Sequence, residues 1–216
     1  MTDWARFLPL SNRDRGDERD VGTAWSPATA ALLEAIAAAL DARPDLLAAP
    51  TLRPDVTTAA AVRQLLSDLD ARWYTRWARA LNAARATSPA VAQTADEALA
   101  SAVRARAVPG ARSSIRDLGL VVVLALDLRA THGLALTVDP LLCGAVALDL
   151  ALRAPMPQRS VVTARTFVAV DGGWRVGRGP ALSASAASIV LFLAGRADVP
   201  PESAPNPAAD EPHIAG

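Results

Sequence analysis

Lysine, histidine and cysteine, on which many catalytic and metal-binding motifs depend, are absent or rare in this chain. It contains no Lys, which excludes a Walker phosphate loop and a lysine Schiff base. Its two histidines, His132 and His213, are too few for a multi-histidine zinc site. A single cysteine, Cys143, excludes an internal disulfide and every motif built on a cysteine pair. These absences exclude several common catalytic and metal-binding mechanisms.

One aromatic stretch combines these groups. Trp73 and Trp77 lie four residues apart on the apolar face of a predicted helix, and Arg76 lies along its flank. One interpretation is that the tryptophans are core and the arginine stems cover them. The other is that Trp73 and Arg76 form a pocket wall that recognises a carboxylate. Binding of single-stranded nucleic acid needs exposed aromatics, whereas these fall on the apolar stripe.

Two other titratable groups have ordinary structural explanations. Cys143 lies between Leu142 and Gly144, where a thiol behaves as a small hydrophobic group. His132 falls in the last turn of a predicted helix, where a positive charge favours the helix dipole. Neither position requires a catalytic role.

The composition is that of a globular chain: 216 residues, of which 51% are hydrophobic and 20% charged. Its formal net charge is zero, so no overall field attracts nucleic acid or an anionic membrane. The longest apolar runs fall short of the roughly 20 residues that a membrane span needs. With one cysteine and no leader pattern, we expect a cytoplasmic protein.

Apolar residues at helical spacing, bounded by capping signals, predict four or five antiparallel helices. We predict helix starts at Ser26-Pro27, at Thr57 or Thr58, at Ser88-Pro89, at Ser113 or Ser114, and at Asp139-Pro140. The first helix ends at Arg43-Pro44, the second continues to Leu81, the third passes through Ala95 to Val103, the fourth ends at His132-Gly133 and the fifth before Pro155.

Beyond Pro157 the pattern becomes that of strands. Residues 161–170 predict a strand, 171–173 a turn, and Trp174 the start of a second strand. A last helix then starts at Ser183 or Ser185. The predicted fold class is α+β, divided into a loose charged arm (1–26), a helical bundle (27–155), a small α+β domain (158–198) and a disordered tail (199–216).

Two segments carry a resemblance to a known family. Residues 114–117 run into the apolar stretch 121–130 and then Gly133-Leu134; near the end, 173–180 is followed by 186–193 and Gly195-Arg196. Over residues 27–198 the chain resembles the mycothiol-dependent maleylpyruvate isomerase family. The resemblance implies a DinB-like antiparallel helical bundle followed by a small sterol-carrier-like α+β unit, with the site between them.

In active members of that family a zinc ion is held by a histidine of the second helix and by a carboxylate and a histidine four residues apart on the fourth. The zinc lowers the pKa of a small thiol. When Asp127 is used as the anchor, the fourth-helix positions fall on Leu120 and Leu124, and neither side chain can bind a metal. The second-helix position falls near Asp68. The best replacement set is Asp68, Asp127 and His132, although the five-residue step between the last two suits a helix poorly.

The resemblance also identifies Arg196 with a family arginine that can bind a substrate carboxylate; alternatively it is a surface charge at a helix end. The ligand-binding candidates are therefore Arg196, Trp73, Arg76 and Asp127. We expect a metal-less family member without a cofactor, a non-catalytic binding or regulatory module for a small acidic or thiol-conjugated molecule. The alternative is an active mycothiol-dependent isomerase or thiol transferase that uses zinc and mycothiol. A third hypothesis is an interaction protein that binds a protein partner through its termini.

Overall fold

The computed structural model describes residues 21–71, 94–108, 110–154, 156 and 158–197, with the side chains of 21–24 left out of the description. Within these residues the fold is α+β, with seven α-helices and one three-stranded sheet. The α-helices are α1 Val21–Ala42, α2 Thr58–Asp70, α3 Asp96–Arg104, α4 Ile115–His132, α5 Pro140–Arg153, α6 Gln158–Ala164 and α7 Ala186–Leu193; a short 3-10 helix covers Pro44–Ala48. The strands are β1 Thr166–Ala169, β2 Arg175–Gly177 and β3 Ala181–Ala184.

Several predicted helix ends are confirmed. Ser114 and Asp117 form a reciprocal capping box at the start of α4. Gly133 ends that helix with a φ of 66°, a left-handed conformation that glycine adopts without steric cost. Asp139 caps α5 by accepting from the Leu141 amide at 2.8 Å. Ser185 caps α7 in the same way, through the Ser188 amide.

The predicted start of the first helix is wrong. The described part of α1 runs from Val21, so residues 21–26 belong to a helix and not to the loose arm, and Pro27 lies inside it. Ser26 does not cap: its hydroxyl accepts from the backbone amide of Ser113 at 3.1 Å. Thr29 donates to the Trp25 carbonyl at 2.7 Å within the same turn. A long-range contact has replaced the local one that the Ser-Pro pair predicts.

Two other helices are shorter than predicted. α2 ends at Asp70, since Ala71 is extended, and Trp73, Arg76, Trp77 and Leu81 lie outside the described residues. The helix that carries Leu99 and Val103 begins only at Asp96, because Ala95 has extended backbone. Its predicted start at Ser88-Pro89 also falls outside the described residues, as do residues 1–20 and the tail from 198.

The first predicted strand is wrong over its first half. Residues 158–164 form α6, and β1 is confined to Thr166–Ala169. Val161, Val162 and Thr163 favour a strand by propensity, and the tertiary context overrides that preference. The third strand was not predicted. β3 pairs in parallel with β1, and β2 pairs with it antiparallel, so the sheet order is β2-β1-β3.

Helix α4 lies at the centre of the molecule. It packs against α1, α2, α5 and α7, and every residue from Val121 to Leu128 is buried. This explains why its sequence is apolar on nearly all sides. One continuous hydrophobic core joins the helices to the sheet, where the Phe167 and Phe192 rings lie 5.6 Å apart.

The turn between β1 and β2 attaches the sheet to α5. The Trp174 indole donates to the Pro140 carbonyl at 2.7 Å. A Cβ on Gly144 would lie 2.8 Å from this ring, so the helix approaches the indole closely only because it has glycine there. Asp171 accepts from the Ala186 amide at 2.7 Å and so fixes the start of α7.

Among the described residues no single helix reaches the length and apolar character of a membrane span, although α5 and α6 together do so across a bend of 108°.

Candidate functional site

A cavity of about 400 Å³ opens where α2, α4, α5 and the end of α7 meet. This volume is in the range of small-molecule binding sites. The loop before α2 contributes Arg53 and Val56, and α7 contributes Ala194 and Arg196 from the turn that follows it. The site therefore lies between α2, α4, α5 and the turn that follows α7.

One face of α4 forms a wall of the cavity. Arg116, Leu120 and Leu124 follow one another at steps of four residues, and Asp127 continues the same face three residues later. The first three line the cavity, whereas Asp127 lies behind it, with a side chain that is fully buried. The wall therefore runs from the cation of Arg116 through Leu120 and Leu124, and the carboxylate of Asp127 is buried behind it.

The cavity combines an apolar wall with several arginines. Its apolar side includes Leu65, Leu120, Leu124 and Leu150. Its charged side includes four arginines and one acid; the arginines are Arg53, Arg116, Arg153 and Arg196, and the acid is Asp68. The site therefore has an excess of positive charge in a chain whose net charge is zero.

The four arginines differ in their partners. Within the described part of the chain, Arg53 and Arg116 have no carboxylate partner. Arg153 pairs with Asp149 one turn earlier on α5. Partial burial lowers the pKa of the Arg153 guanidinium, and the charge of Arg116 lowers it further. Arg116 and Arg153 therefore repel each other across the cavity.

The position of Arg116 is itself unfavourable for a cation. It is the second residue of α4, where the helix dipole presents its positive end. A carboxylate is the usual occupant of a first turn, and Asp117 takes that role next to it. The arginine thus adds positive charge where the backbone already supplies some, as in an anion-binding site.

The amide nitrogen of Gln64 is a second polar group that faces this region without a partner. Gln64 lines the cavity from α2, and its Nε2 is buried and makes no hydrogen bond within the described residues. Asp68 lies one turn further along the same face.

Arg196 and Asp127 form a pair at the inner end of the cavity. Arg196 Nε lies 3.6 Å from Asp127 Oδ2, and 18% of the Arg196 side chain is exposed. Asp127 Oδ1 accepts from the Leu52 amide at 2.8 Å and from the Thr131 hydroxyl at 3.4 Å. Asp127 Oδ2 makes no hydrogen bond to any described residue. The carboxylate therefore joins α4 to the loop before α2 and to the turn after α7.

The structure brings some of the predicted site residues together and separates others. Asp68 and Arg196 line the cavity, and Asp127 supports Arg196 from behind. His132 lies apart, with its Nε2 3.4 Å from the Thr58 hydroxyl. The described residues contain no group of three His, Cys, Asp or Glu placed to hold a metal, so Asp68, Asp127 and His132 do not form one cluster. Trp73 and Arg76 lie outside the described residues.

The family metal does not fit the residues at its expected positions. Leu120 and Leu124 line the cavity with hydrocarbon side chains, which leaves Asp68 as the one metal-binding side chain of the three. No chemical step through a metal is derived at this site.

Cys143 takes no part in the cavity. Its side chain is buried in α5, and burial raises the pKa of its thiol to about 11, with smaller contributions from Asp171 and Asp139. At neutral pH it is therefore a protonated thiol, as the sequence predicts for a small hydrophobic group.

Sequence reasoning missed four polar groups of the cavity: Arg53, Gln64, Arg116 and Arg153. Arg116 was within reach, because it lies one helical turn before Leu120 on the face that the metal positions define. Gln64 likewise precedes Asp68 by four residues. Arg53 lies in a loop and Arg153 on a different helix, and no local pattern relates them to the site.

No family model matches this sequence, and the comparisons with curated proteins and with solved structures give no match either.

Proposed function

We propose that the chain binds a small organic anion in this cavity and acts as a non-catalytic binding or regulatory module. In this proposal it is a metal-less member of the mycothiol-dependent maleylpyruvate isomerase-like family, with a DinB-like bundle and a sterol-carrier-like C-terminal unit. The observation that carries the binding proposal is that Arg53 and Arg116 line one cavity without a carboxylate partner among the described residues.

The charge distribution argues for an anion. The cavity holds four arginines and one acid, with Arg116 and Arg153 close enough to oppose each other's charge. A protein gains nothing in stability from such an arrangement, and an anionic ligand would compensate it. Guanidinium groups bind carboxylates with two parallel hydrogen bonds, which makes a carboxylate the best-matched anion.

The leucines argue that the anion has an apolar body. Leu65, Leu120, Leu124 and Leu150 present hydrocarbon to the same space that the arginines surround. Burial of apolar ligand surface contributes about 25 cal/mol per Å². A small carboxylic acid with a hydrocarbon portion satisfies both sides, and so does an acid conjugated through sulfur to a small thiol.

The family proposal is supported by one coincidence of positions. The three positions that the resemblance assigns to metal ligands, at Asp68, Leu120 and Leu124, all lie around one cavity, and Arg196 reaches it from the C-terminal unit. Two leucines in place of ligands make metal-dependent thiol transfer the less supported alternative, because no arrangement of described residues supplies a replacement ligand set.

The test is the shift in thermal midpoint that benzoate and maleate produce, with benzamide and maleamide as neutral counterparts of the same shape. We expect both anions to stabilise the protein and both amides to have little effect. The Arg53→Gln/Arg116→Gln double variant should lose the stabilisation. Arg106→Gln, which removes an arginine paired on the outer surface with Asp70, should keep it.

Equal stabilisation by acids and amides, or none by either, would overturn the anion proposal. Elemental mass spectrometry after dialysis against zinc tests the alternative function. Stoichiometric zinc would show that the protein has a metal site and would favour the thiol transferase.

A further inference from the structure

Asp127 is the buried carboxylate on which two sides of the cavity converge. It is fully buried in α4 and lies behind the cavity wall, so it does not contact the space a ligand would occupy. Asp127 therefore acts on a ligand only through the groups that it contacts.

One oxygen of Asp127 fixes the loop before α2. Oδ1 accepts from the Leu52 amide at 2.8 Å across 75 residues of chain. The next residue is Arg53, which lines the cavity. The hydrogen bond therefore sets the backbone position from which the Arg53 side chain starts.

The other oxygen faces Arg196. Oδ2 lies 3.6 Å from Arg196 Nε, an ion-pair distance. Arginine is a long side chain with several rotatable bonds, and a fixed carboxylate restricts the orientations that its guanidinium samples. If the side chain were ordered only when a ligand binds, the lost side-chain entropy would weaken binding. Because Arg196 already pairs with Asp127, this entropy cost is smaller and the affinity is higher.

We propose that Asp127 is a positioning residue: without touching the ligand, it holds Arg196 and the Arg53 loop in the arrangement that binds the anion. This inference rests on the proposed function. It assigns one buried group to the preorganisation of two cavity arginines that come from opposite ends of the described chain.

A simpler role for Asp127 makes the opposite prediction. If the carboxylate is only a counter-ion for Arg196, its removal leaves the cavity more positive and anion binding becomes tighter. If the carboxylate positions Arg196, its removal lets the guanidinium sample more orientations and anion binding becomes weaker. The sign of the change therefore separates the two roles.

The experiment compares benzoate and maleate binding to the full-length protein and to Asp127→Asn by isothermal titration calorimetry. Asparagine keeps an oxygen that can accept from the Leu52 amide but has no charge for Arg196. We expect the dissociation constant to rise on the order of tenfold. An unchanged or lower dissociation constant would overturn the positioning role.

A double variant tests whether Asp127 acts through Arg196. If it does, Asp127→Asn should weaken binding in the wild-type background and have no further effect in Arg196→Gln. Additive losses would show that Asp127 acts on the fold in general. Absence of benzoate and maleate binding to the wild-type protein would instead overturn the proposed function, which is a distinguishable result.

A second measurement needs no ligand. Phenylglyoxal modifies guanidinium groups that are accessible and unpaired, and peptide mass spectrometry reads the rate at each arginine. We expect Asp127→Asn to increase the rate at Arg196 several-fold and to leave the rate at Arg63, which is partly buried and paired with Asp96, unchanged. Equal rates at Arg196 in both proteins would show that the carboxylate does not hold this side chain. A parallel rise at Arg63 would show general unfolding, and it too would count against the proposal.

Discussion

Arginines occur in two different settings in this molecule. On the outer surface of α1, α2 and α3, Arg63 pairs with Asp96, Arg104 with Glu34 and Asp41, and Arg106 with Asp70. The pairs of Arg63 and Arg104 each join two helices, and the pair of Arg106 joins the turn after α3 to α2. Around the cavity, Arg53 and Arg116 have no carboxylate partner among the described residues. Arg196 faces the carboxylate of Asp127, which is fully buried.

The comparison shows that a net charge of zero can hide a local excess of positive charge. Each surface arginine is neutralised by a neighbouring carboxylate. These pairs are exposed to water, where each contributes little to stability. The cavity retains a positive excess in a space partly walled by leucines, where charge interactions are stronger. The first setting joins helices, and the second one is suited to a ligand.

The largest expected effect comes from the buried carboxylate. We expect Asp127→Ala to lower the free energy of unfolding by about 3 kcal/mol, because it leaves the Leu52 amide without its acceptor and removes the buried carboxylate that faces Arg196. Asp41→Ala, which removes an exposed partner of Arg104 and leaves Glu34 in place, should change the free energy of unfolding very little, because water screens the pair. Urea unfolding followed by circular dichroism measures both. Similar losses in the two variants would remove the distinction between the settings.

A second prediction concerns Cys143, a buried titratable group without a paired cation. Burial raises the pKa of its thiol from 9.0 to about 11. Thiolate is the reactive form, so alkylation by iodoacetamide at pH 8 should be about 100-fold slower in the native protein than in the urea-unfolded chain.

The same shift makes stability depend on pH. The thiol ionises first in the unfolded chain, so its contribution to stability is complete below pH 9 and is lost as the pH rises through 11. Mass spectrometry of the alkylated protein and urea unfolding between pH 8 and 11 check the two statements. Rapid labelling of the native protein at pH 8 would contradict the first.

The smallest expected effect is a change in the free energy of unfolding, with opposite signs for a cavity arginine and a surface arginine. Arg116→Gln relieves repulsion with Arg153 and removes a cation from the first turn of α4, so it should stabilise the ligand-free protein by about 0.3 kcal/mol. Arg106→Gln breaks an exposed pair and should destabilise the protein by a similar amount. Unfolding in low salt measures the difference, and about 1 M salt should reduce it. Destabilisation by Arg116→Gln would show that this arginine has a structural role.

The helix ends could be read from the sequence because their signals are local. The Ser114 capping box, Gly133 and the Asp139-Pro140 start of α5 each depend on neighbours within a few residues. Where a long-range contact intervened, the prediction was wrong. Ser26 bonds to Ser113 and so does not start a helix, and the propensity of residues 161–163 for a strand was overridden.

The candidate site was only partly within reach of the sequence. The resemblance and helical spacing relate Asp68, Leu120 and Leu124, and the structure places all three around one cavity. Arg53 and Arg153 carry no local signal, because their relation to the cavity depends on how a loop and a separate helix pack. The pairing of Asp127 with Leu52 and Arg196 is likewise a long-range contact.

By itself the sequence determined the fold class, most helix ends of α4, α5 and α7, and the absence of lysine and of multi-histidine chemistry, because these depend on composition and on neighbours within one helical turn. Only the tertiary structure decided which arginines are paired on the surface and which face a cavity. The charge of an arginine is the same in both places, and its role depends on the carboxylate, solvent or apolar wall that the rest of the fold brings to it.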